Sequence, residues 1–170
     1  MLYDLIDLTK LRRAILYALL LAVLFIVQDL ILSHVAILGV RALLIPAAAV
    51  AVGLFDGGLW GGIVGLAAGF FCDMGFAENT VLFTVMFACI GFFSGVLGKY
   101  LLRKGFLSYI VLCAAALAIV TFCQMFRFLF FTDTDAAAVW RTGLIQLLWS
   151  LPWAVPVYFP CKSIAEHNPL

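Results

Sequence analysis

The chain has 170 residues, 66% of them hydrophobic and 11% charged, with a net charge of +1 and a mean hydropathy of +1.21. Soluble domains carry about 25% charged residues, so too few are present to coat a water-facing surface. The composition reads as an integral membrane protein, and the lack of any basic cluster interleaved with aromatics excludes a nucleic-acid-binding surface.

Residues 1–13 place Leu2, Leu5, Ile6 and Leu11 among Asp4, Asp7 and Lys10, a pattern that fits either a short amphipathic helix at the membrane surface or a frayed tail. Lys10, Arg12 and Arg13 then lead into an apolar run at 14–33. That run is too long for a typical signal-peptide core and has no small-residue cleavage site after it, so it reads as a retained first span. Five further apolar segments follow at about 34–55, 59–75, 80–98, 106–131 and 138–160. Together they predict an all-α membrane protein with six transmembrane helices in one domain, 1–170. Each segment crosses, or nearly crosses, a hydrocarbon core of about 30 Å.

Basic residues set the orientation. Lys10, Arg12 and Arg13 precede the first span, Lys99, Arg103 and Lys104 separate the fourth from the fifth, and Lys162 follows the sixth. Six crossings with both termini cytoplasmic put all seven on the inner side. An even number of crossings must separate the two clusters, so the second and third segments either both cross or both form a re-entrant hairpin. The compact turn at Asp56, Gly57 and Gly58 favours crossing.

The third segment carries Gly57, Gly61, Gly65 and Gly69 at every fourth residue, with Asp73 continuing the series. At 3.6 residues per turn these lie on one helix face, bare enough for a neighbouring helix to approach closely. Gly91 and Gly95, with Ser94 and Gly98, give the fourth segment a matching small face. Both faces are expected to pack within the bundle; a homo-oligomer built on the 57–69 face is also compatible. Ala14, Ala18 and Ala22 repeat the small-residue spacing on the first span. Pro152, Pro156 and Pro160 are expected to kink the sixth, where Trp140, Trp149 and Trp153 suit interfacial anchoring or packing.

Asp29, Arg41, Asp73, Arg127 and Arg141 are expected at the outer ends of the helices, with Glu78, Asp133 and Asp135. They read either as interfacial charges reaching water or as a paired network in an outward cavity or partner groove. Cys72, Cys89, Cys113 and Cys123 lie in apolar segments with no CxxC pair and read as small core residues. No HExxH, GxSxG, P-loop or Cys/His metal spacing occurs, so no catalytic, cofactor or metal residues are assigned and no enzyme activity is expected.

The run GVRALLIPAAAVAVGLFDGGLWGGIVGLAAGFFCDMGF, followed by GFFSGVLGKYLLRKG, resembles the MreD family of bacterial rod-shape-determining membrane proteins. The glycine-rich third segment ending in Asp73 and the fourth closing on Gly95, Gly98 and a basic turn carry the likeness. One departure is the stretch Phe76-Ala77-Glu78-Asn79-Thr80, where the family usually has a Leu-Gly pair. The resemblance implies a multi-pass protein of the bacterial inner membrane, a non-enzymatic scaffold of the cell-elongation complex without cofactors. It implies binding to the bitopic protein MreC and, through it, association with RodA, a class B penicillin-binding transpeptidase and MreB. It also implies a fold similar to the substrate-binding subunits of energy-coupling-factor transporters. A vitamin-capture subunit of such a transporter is therefore the alternative, with Gln28, Asp29, Gln124 and Arg127 as the polar residues available to a pocket.

Overall fold

The computed structural model describes residues 2–32, 42–75, 82–100, 105–131 and 136–167, with side-chain surroundings at 11–30, 42–74, 82–100, 105–126, 137 and 139–166. It comprises helices α1 (Leu2–Val27), α2 (Ile45–Asp56), α3 (Gly58–Gly75), α4 (Leu82–Tyr100), α5 (Phe106–Phe131) and α6 (Ala136–His167). A π-helical turn, Gln28–Leu32, extends α1. Among the described residues only 42–44, Gly57 and Gly105 lie outside helices.

Among the described residues four helices are long and apolar enough to cross a membrane: Leu11–Leu30, Leu82–Tyr100, Phe106–Phe126 and Val139–Glu166. The segments Ile45–Asp56 and Gly58–Met74 are apolar but shorter. At 1.5 Å per residue α2 is about 18 Å long, well short of a hydrocarbon core. Within the expected second span at 34–55, residues 42–44 lie outside a helix and α2 begins at Ile45, with Pro46 in the first turn, where a missing N–H costs nothing. Residues 34–41, Arg41 among them, lie outside the described residues.

The N-terminal region also differs from expectation. Neither a separate surface helix nor a frayed tail precedes the first span: α1 runs unbroken from Leu2. No glycine or proline interrupts that stretch, and its leucines, alanines and basic residues are good helix formers. The sixth segment likewise continues as one helix through Pro152, Pro156 and Pro160, ending at His167 rather than near 160.

The core sits on α2. Every residue from Ile45 to Leu54 is buried, surrounded by α1, α3, α4, α5 and α6. A helix apolar on all sides is what such a central position demands. The most extensive contact in the molecule joins α3 to α4, and the next two join α2 to each of them. By contrast, α1 buries a single stripe, Arg13, Tyr17, Leu21 and Leu24, and leaves most of its other surface open.

Glycine explains why the α2–α3–α4 group can be so close. A β-carbon added at Gly61 would strike the Gly91 carbonyl; one at Gly65 the Phe87 carbonyl; one at Gly69 the Phe83 carbonyl. Each step of four residues up α3 therefore meets four down α4, an antiparallel pairing of backbones. Gly53 brings α2 into the same contact, against the Gly91 carbonyl and Ser94. Three glycines from three helices, Gly53, Gly61 and Gly91, meet at one point.

Gly57 behaves differently from the other residues of its repeat. It is the turn between α2 and α3, with φ +95°, a conformation that favours glycine, and its N–H bonds to the Gly53 carbonyl at 2.9 Å. An added β-carbon there would meet nothing within 4 Å, so its place in the contact is through its backbone, which lies against Gly95. Gly58, off the four-residue repeat, packs on the Phe92 carbonyl instead.

Candidate functional site

Polar side chains gather at two ends of the bundle. At one end, Arg13 of α1 donates from Nη1 to Asp56 Oδ1 at 3.0 Å and from Nη2 to the Ala165 carbonyl at 3.4 Å. The Tyr17 hydroxyl donates to the other Asp56 oxygen. The Arg13 and Asp56 side chains are 2% and 4% exposed, so the pair is withdrawn from water. One guanidinium thereby ties the middle of α1, the end of α2 and the last turns of α6 together. Its Nε is buried with no acceptor among the described residues.

Sequence reasoning alone misses both roles: Arg13 counts there only among the orienting basic residues and Asp56 only as part of a turn. Arg12, Arg13, Lys99 and Lys162 all belong to this end, since Gly98 packs on Leu54 and Lys162 lies within a turn of Ala165. Lys162 also pairs with Glu166 at 3.7 Å.

At the other end, Gln28 Oε1 accepts from the N–H groups of Leu44 at 2.9 Å and Ile45 at 3.2 Å. Ser150 accepts from the Leu43 N–H at 2.9 Å while donating to the Gln146 carbonyl at 2.7 Å. These side chains satisfy donors that the first turn of a buried helix leaves without intrahelical partners. Midway, the Tyr109 hydroxyl reaches the Ala154 carbonyl at 2.9 Å and lies 3.4 Å from that of Ala47, joining α5, α6 and α2.

Asp73, at the end of α3, receives three hydrogen bonds from the start of α4. Oδ1 accepts from the Phe83 N–H at 3.2 Å, and Oδ2 accepts from the Thr84 N–H at 2.9 Å and hydroxyl at 2.6 Å. A carboxylate there complements the positive end of the α4 dipole and fills orphan donors. The carboxylate that ends the glycine strip thus caps the neighbouring helix. Of its expected arginine partners, Arg41 and the Arg127 side chain lie outside the described residues. Asp29 is exposed on the π turn and Arg141 is exposed near the start of α6. Among the described residues no three His, Cys, Asp or Glu side chains cluster as a metal site needs.

The lateral grooves among the described residues are apolar. One, of about 560 Å³, runs between α1 and α3, with Ala14, Ala18 and Ala22 on one wall and Trp60, Ile63 and Ala67 on the other. The second, of about 420 Å³, lies between α4 and α5, where Met86, Phe93 and Ile119 face it. The alanine ridge of α1 therefore borders open space rather than a close helix contact. All five cysteines are free thiols; Cys72, Cys113 and Cys161 are buried, and Cys89 is exposed.

Comparison with protein-family models, curated proteins and solved structures finds no significant match to this chain.

Proposed function

We propose that the chain is a non-catalytic, multi-pass scaffold subunit of MreD type in a bacterial inner membrane, supporting peptidoglycan synthesis and cell shape by binding an MreC-like bitopic protein. In this reading all six helices lie in the bilayer, α2 and α3 as a hairpin of which α2 is enclosed by the other helices, with the Arg13–Asp56 end cytoplasmic. RodA, a class B transpeptidase and MreB associate through the MreC-like partner.

The observation that carries the reading is how the polar side chains are used. Gln28, Asp56, Asp73, Ser150 and Tyr109 are each engaged with backbone or with a buried charge that fastens one helix to another. Such fastening suits a body that keeps its shape while another transmembrane helix leans on it. The vitamin-capture alternative needs convergent polar groups around a cavity. Gln28, one of the four residues available for that, is committed to the start of α2.

The test is recovery of interacting proteins from gently solubilised membranes. Co-purification of a bitopic protein with the cell-wall synthesis subunits supports the scaffold. Recovery of a transporter ATPase module, or a stoichiometric vitamin by mass spectrometry, overturns it in favour of the alternative.

A further inference from the structure

Five helices ring α2, and the ring has two gaps. One arc is α3 and α4, joined backbone to backbone through their glycines. The other is α1, α6 and α5. Arg13 bonds to the Ala165 carbonyl, Tyr109 bonds to the Ala154 carbonyl, and the rings of Phe106 and Tyr109 each lie 5.2 Å from that of Tyr158. The gaps between the arcs are the α1–α3 groove, which reaches Ile45 of α2, and the α4–α5 groove, which reaches Val50. The central helix itself goes with the first arc, because Gly53 sets it against the Gly91 carbonyl and the Gly57 backbone lies against Gly95.

Among the described residues, every hydrogen bond between α1, α5 or α6 and the α2–α3–α4 group ends on α2 or on the residues leading into it. Arg13 and Tyr17 reach Asp56 at one end, and Gln28 and Ser150 reach the N–H groups of Leu43, Leu44 and Ile45 at the other. Between them the Tyr109 hydroxyl lies 3.4 Å from the Ala47 carbonyl. Across the α1–α3 gap the rings of Phe25 and Phe71 meet, with centroids 6.3 Å apart, a contact without a directional bond. Attachments strung along one line restrain sliding and tilting but leave rotation about that line. Packed groups of helices move against one another through freedoms of this kind.

We propose that the α2–α3–α4 group rotates about α2 against α1, α5 and α6, so that one lateral groove widens as the other narrows. Each group keeps its own shape, and whatever fills one groove changes the other; no particular partner is required. Neighbouring helix axes lie about 8–10 Å apart, so a rotation of about 15° carries α3 and α4 about 2–3 Å. The test uses the full chain in nanodiscs, with spin labels on incorporated ketone residues that leave its cysteines unlabelled. One pair, Leu19 and Leu66, stands on either side of the α1–α3 groove, and another, Phe92 and Ala118, on either side of the α4–α5 groove; all four are exposed. Ala18→Trp wedges the first groove and Ala115→Trp the second, each from an exposed position on its wall. By double electron–electron resonance, Ala18→Trp is expected to lengthen the first distance by about 2–3 Å and shorten the second by as much. Ala115→Trp is expected to do the reverse. Ala18→Leu and Ala115→Leu are smaller wedges that give shifts of the same signs where tryptophan prevents folding. Widening of both grooves, a change in one alone or no change in either overturns the proposal.

Discussion

Gly61 and Gly91 lie backbone to backbone: a β-carbon on either would strike the carbonyl of the other. They belong to consecutive antiparallel helices, and Gly53 of α2 joins them from the third side. Three helices cannot converge this way if any of the three carries a side chain. Tolerance of substitution should therefore vary sharply along α3.

Gly65→Leu places a branched side chain against the Phe87 carbonyl, which is backbone and has nowhere to move. Overpacking of this kind costs about 1–3 kcal/mol or more. Thermal unfolding in detergent should show a large loss of stability, or no folded protein. Gly62→Ala is the control, because its β-carbon would make only ordinary contact, 3.6 Å from Phe92 Cβ. It should be neutral or slightly stabilising; equal damage from both substitutions would mean that close α3–α4 contact is not what limits stability.

Removing one member of the Arg13–Asp56 pair leaves its partner charged and buried, at a cost of about 3–5 kcal/mol. Asp56→Leu and Arg13→Met should each be severely destabilised. The double variant should recover much of the loss, since an apolar pair of similar size replaces a buried ion pair at little cost. Additive losses in a double-mutant cycle would show that the two side chains act separately.

Asp73→Ala removes the acceptor for two N–H groups of α4, an effect of about 1–2 kcal/mol. Hydrogen exchange should quicken at Phe83 and Thr84 and stay unchanged at the α2–α3 turn. Protection that holds at both sites would argue against a capping role.

Gln28→Leu leaves the Leu44 and Ile45 N–H groups without their acceptor inside a buried segment, at about 1–3 kcal/mol. Gln28→Glu keeps the acceptor and should retain more stability than the leucine variant. The ranking of the two variants by melting temperature decides whether hydrogen bonding or packing fixes α2 in place.

What could be read from the sequence was what repeats locally. A four-residue glycine period marks one helix face without knowledge of the fold, and Gly61, Gly65, Gly69 and Gly91 do lie in the α3–α4 contact. Gly53 falls on the same four-residue spacing but belongs to α2, and Gly57 follows that spacing yet serves as a turn. The Arg13–Asp56 pair spans 43 residues, and no local pattern announces such a partner. Asp73 accepts from two backbone N–H groups and a hydroxyl of α4, and backbone donors, which every residue but proline supplies, are advertised by no sequence pattern. For the start of α2 at Ile45, Pro46 is the one local signal.

The Ala165 carbonyl that receives Arg13 lies 152 residues further along the chain. During synthesis α1 emerges long before this acceptor has been translated, so the bond between them forms only after α6 has been made. A product shortened just before Ala165 would carry every glycine junction yet lack the hydrogen bond that joins α1 to α6.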